Sequence, residues 1–213
     1  MLSILLFAGV VALSAVFYEV ANEDLSLKKK IQIITHSPVV EKQLSQYEDI
    51  IGSDLEGYRG HIYRVLSYSM HFLNGNETYL PVIATALVYH DLGLWSDKTL
   101  SYIEPSCSLA KEKMDEAFSE EEHQLMYDII FWHHKFTPFE GPHADIVNAV
   151  RQADWMDASF GVLSKGMPRE HIRAVMSTIP NAGFHQTLLE FGPRLHGSNV
   201  VEIVTNLAKI FRF

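Results

Sequence analysis

The sequence predicts an all-α fold, and three observations carry that reading. Few segments alternate apolar and polar residues with period two, and runs of β-branched residues are short. Buried-looking positions recur instead in steps of three and four. His61, Val65, Tyr68 and Phe72 share one helical face, as do Val147, Val150 and Asp154. Helix punctuation separates these stretches: Asn74-Gly75-Asn76 as a stop, Pro81 in a first turn, and Ser119 with Glu122 as a capping box.

Taken in order, residues 27–47 form a helix candidate weakened by Pro38, and 52–60 read as a loop. A helix over 58–73 runs into the Asn-Gly-Asn stop. Residues 80–90 form an apolar helix, and Pro105 opens another over 106–118. The capping box starts a helix ending near His133, and Pro138, Gly141 and Pro142 mark 136–142 as a loop. Helices over 143–160, 169–178, 187–191 and 198–211 complete the pattern.

Residues 1–18 carry no charge and are about as long as a bilayer core is thick. The expected division is therefore an apolar N-terminal helix within 1–24 and a helical domain over 25–213. The apolar segment is read as a membrane anchor, a cleaved signal, or a helix packed on the domain or between two copies of the chain. As an anchor followed by Lys28, Lys29 and Lys30, it would leave the domain in the cytoplasm.

Hydrophobic residues make up 47% of the 213 and charged residues 20%, which supports a sizeable core. The formal net charge of −9 excludes the basic footprint of a nucleic-acid polymer binder, though not a small phosphorylated ligand. A single cysteine, Cys107, excludes an internal disulfide and a Cys-rich zinc site. Histidine is the abundant chemical group, at 11 residues.

Four residues stand out. His61 opens a face that otherwise looks buried, and a buried imidazole needs a hydrogen-bond partner or a metal. His90 and Asp91 end an apolar helix side by side. Asp154 lies on an apolar stripe, where an unpaired acid is costly. Two imidazoles and two carboxylates from three helices suit Mn, Fe, Co, Ni, Zn or Mg better than a thiol-seeking metal.

This order, His61, then His90-Asp91, then Asp154, resembles the HD-domain superfamily, with agreement around Arg64-Val65, Leu92-Gly93 and Ala153-Asp154. The resemblance implies an HD-type helical bundle and a metal-dependent phosphohydrolase acting on a small phosphate ester, such as a nucleotide. It implies a divalent transition metal (Mn, Fe, Co, Ni or Zn) held by His61, His90, Asp91 and Asp154. His133 and His134 resemble the later extra histidines of two-metal members, which adds His133 to the ligands and raises a second ion. The earlier extra histidine has no match; the next one along, His123, sits on an acidic helix start. Asp91 would orient the attacking water, and His134 or Lys135 would stabilise the departing oxygen. Arg64 and Arg151 are candidate phosphate clamps, and Asp157 reads as a helix-face acid. Two alternatives stay open: an HD-type di-iron oxygenase, and a non-catalytic module whose metal only staples helices.

Overall fold

The computed structural model describes residues 29–113, 118–197 and 199–211; the apolar segment of 1–18 lies outside them. The described chain is all-α, with no strand among the described residues. No helix of the described residues is long and apolar enough to cross a membrane.

The first helix, α1 (Pro38–Leu44), begins at the proline that was expected to weaken a longer helix. Proline lacks an N–H, and the first turn needs none there. The segment before α1 is not helical but is pinned to the core. The Ile34 N–H donates to Ser67 Oγ at 3.0 Å, and the Ser37 N–H donates to the Tyr63 hydroxyl at 2.9 Å. A 3-10 turn, α2 (Glu48–Ile51) and a second 3-10 turn then lead into α3 (Leu55–Phe72). The expected loop over 52–60 is thus largely helical.

α3 is the central helix, buried along most of its length. Its Ser67 and Ser69 hydroxyls donate back to Tyr63 O and Val65 O, so both polar groups are satisfied inside the core. α4 (Leu80–Tyr89) and α8 (Ala144–Ala158) pack against it. α5 (Gly93–Ser96) and α6 (Ile103–Lys113) follow the His-Asp doublet. α7 (Glu120–Trp132) starts at Ser119 with the expected capping box, both of its hydrogen bonds being present. α9 (Arg169–Thr178), α10 (Phe184–His196) and α11 (Val200–Phe211) close one side. α10 is much longer than expected and contains Pro193.

Two close approaches set the site. A Cβ on Gly60 would stand 2.8 Å from Pro180 O, and one on Gly57 would stand 3.0 Å from Ala182 O. Glycine at both places lets the loop before α10 lie directly on α3. A Cβ on Gly93 would stand 2.5 Å from Tyr102 O, and the Gly93 N–H donates to Ser106 Oγ at 2.9 Å. This docks α6 against the doublet.

Candidate metal centre

His61, His90 and His133 each have one ring nitrogen held by a neighbouring acceptor and the other facing inward. His90 follows the last residue of α4, with Nδ1 2.6 Å from Leu87 O. His133 follows α7 in the same way, with Nδ1 2.6 Å from Ile130 O. A carbonyl only accepts, so each Nδ1 carries the proton and each Nε2 turns a lone pair to the interior. His61, on α3, places Nδ1 2.7 Å from Asp157 Oδ2.

The inward atoms converge. His61 Nε2 lies 3.0 Å from His90 Nε2 and 3.2 Å from Asp154 Oδ1. Asp91 Oδ2 lies 3.3 Å from His90 Nε2, and Asp91 Oδ1 lies 3.4 Å from His133 Nε2. Asp154 Oδ2 lies 3.4 Å from His134 Nδ1. The ligand atoms form two metal-sized groups: His61, His90 and Asp154, and Asp91, His133 and His134. Asp91 and Asp154 each turn one oxygen toward each group, so both carboxylates can bridge.

These residues fit a cation. Two lone pairs 3.0 Å apart repel unless a proton or metal lies between them. Asp91 Oδ1 and Asp154 Oδ2 are buried and accept no hydrogen bond, which is costly without a positive partner. The metal-free protein meets this need with protons. Burial works against the charged form of His61, but Asp154 and Asp157 outweigh it and raise its pKa to about 9. Burial likewise raises Asp91, yet the charges of His90, His133 and His61 hold it below the usual carboxylate range. His134 goes the other way: burial and the charge of His133 lower it to about 4, so it is neutral at pH 7.

A supporting layer fixes His61. Asp157 accepts from Arg64 Nε at 2.7 Å and Arg64 Nη2 at 2.9 Å, and Arg64 Nη1 donates to Pro180 O at 2.9 Å. His185 Nε2 donates to the Asp157 backbone carbonyl at 2.7 Å. Phe184 stacks flat on His61, with centroids 4.0 Å apart and planes 13° from parallel. The Tyr58 hydroxyl donates to Val88 O at 2.9 Å, and the Tyr102 hydroxyl lies 3.5 Å from His133 Nε2.

The structure thus brings His61, His90, Asp91, His133, His134 and Asp154 together. It gives the three expected cations different tasks. Arg64 is spent on Asp157 and Pro180, so it is a brace and not a phosphate clamp. Arg151 Nη1 donates to Lys135 O at 3.0 Å, and Arg151 Nε donates to Asn148 Oδ1, which ties down the loop after α7. Lys135 is buried, and its Nζ donates to Ile210 O at 3.2 Å and lies over the Phe131 ring. Asp157, read as a helix-face acid, is fully buried beside the centre and belongs to neither ligand group. Its signal was available: Arg64 follows His61 by three residues, and Asp157 follows Asp154 by three. No family model, curated protein or solved structure matches the chain.

Proposed function

We propose that the protein is a metal-dependent hydrolase of the HD type that acts on a small phosphate ester. The observation that carries this reading is the convergence of four imidazoles and two carboxylates into two adjoining groups of ligand atoms, with two carboxylate oxygens left unsatisfied. His61, His90 and Asp154 would hold one divalent ion (Mn, Fe, Co, Ni or Zn), and Asp91, His133 and His134 a second. Such an ion supplies Lewis acidity toward a phosphoryl oxygen and makes water a better nucleophile at neutral pH.

The chain's own residues then have separable tasks. Asp157 and Arg64 keep His61 in one orientation and tautomer. Asp91, its oxygens divided between the two groups, orients the attacking water. His134, at the partly exposed edge of the centre, donates a hydrogen bond to the departing oxygen. Phe184, Tyr58 and Tyr102 keep bulk water off the imidazoles.

Elemental analysis of freshly purified protein tests the centre, with one or two divalent ions per chain expected. Phosphate release under anaerobic conditions tests the reaction. An Asp91→Ala variant that kept both metal content and turnover would refute the reading. One observation favours a second reading, an O2-using di-iron oxygenase: His133 and His134 both reach the centre, which makes a six-residue ligand set rich in imidazole. Iron content with an O2-dependent product would select it.

A further inference from the structure

Most of the centre is sealed: His61, His90, Asp91, His133 and Asp154 are buried. His134 differs, with 17% of its side chain exposed. Among the described residues, a ligand arriving from solvent therefore meets the centre at His134.

That edge is aromatic. Trp155 stands edge-on to His134, with centroids 5.9 Å apart and planes at 85°. Phe136 lies beside Trp155 at 5.4 Å and 35°, and it is 61% exposed. Both rings hang from backbone that the centre itself fixes. Trp155 follows the ligand Asp154 on α8, and Phe136 lies two residues past His134, on the turn whose carbonyls Arg151 holds. The rest of this loop, with Trp132, lines an open cavity of about 440 Å³. The neighbouring cations point elsewhere, Lys135 to Ile210 O and Arg151 to loop carbonyls. What this edge offers a ligand is aromatic area rather than positive charge, and planar groups bind such area by stacking.

We propose that Phe136 and Trp155 form a platform on which a planar, uncharged ring of the substrate stacks, while its polar end reaches the centre past His134. This rests on the hydrolase reading and adds a substrate class, phosphate esters whose non-phosphate part is a flat ring.

Phenyl phosphate and methyl phosphate are compared on the full chain loaded with Mn2+. Tryptophan fluorescence reads binding, with Trp155→Phe identifying the source of the signal, and inorganic phosphate reads turnover. Phenyl phosphate binds about tenfold more tightly than methyl phosphate. Phe136→Ala brings that ratio close to one, and Phe136→Trp restores it. Phe136 is exposed enough that its truncation leaves the core intact. Equal affinities for the two esters, or a ratio that survives Phe136→Ala, overturn the platform. Ring-dependent binding without phosphate release supports the platform and overturns the hydrolase reading. Phosphate release from both esters with no ring dependence overturns the platform alone.

Discussion

Replacing Asp157 with alanine separates what holds the fold from what holds the metal. The carboxylate accepts one hydrogen bond from His61 and two from Arg64, and its side chain is fully buried. Its loss strands the guanidinium of Arg64 without a counter-charge, and breaking a buried pair in this way costs about 3–5 kcal/mol. Its loss also frees the His61 ring to turn, and removing a partner that orients a metal-bound histidine lowers metal affinity about 10–100-fold. Urea unfolding and titration with Mn2+ read the two effects. Adding Arg64→Leu removes the stranded charge, so the double variant recovers much of the stability while the metal deficit stays. A single variant with an unchanged urea midpoint, or a double variant that regains full affinity, would refute the assigned roles.

Three further outcomes follow from the same geometry. His61 has a folded pKa of about 9 against about 6.5 unfolded, so its contribution to metal-free stability is complete below about pH 6.5 and is lost as pH rises through 9. Thermal melts should show that decline without metal and lose it with Mn2+ bound, since the cation replaces the proton. Lys135→Met removes the bond to Ile210 O, which costs about 1–2 kcal/mol by urea unfolding; metal content measured by elemental analysis stays the same. Gly93→Ala sets a methyl against Tyr102 O and costs about 1–3 kcal/mol, with a lower melting temperature as the readout.

The class of fold and the heart of the site were legible because both depend on local periodicity. His61 on its apolar face and His90 at the end of an apolar helix show their placement through spacing alone. The tasks of Arg64, Arg151 and Lys135 were not legible, because tertiary packing decides whether a cation faces a ligand or a carbonyl. The start of α1 was misread because Pro38 opens a helix as readily as it breaks one. α10 was cut short because Gly183, Gly192 and Pro193 look like loop residues, although the chain continues helically through the last two. Phe184 gave no signal, since its partner His61 lies far away in sequence and only the approach at Gly57 and Gly60 brings them together.

That approach has a kinetic consequence. With Phe184 lying flat on His61 and the loop before α10 seated on bare glycine, the His61 side of the centre is closed to a bound ion unless the loop lifts. Exchange of a bound ion would then run through the His134 edge, where the centre has exposure among the described residues. Filling the cleft at Gly60 with a methyl would lift the loop, open the His61 side as a second exit and speed the loss of a bound ion to excess chelator.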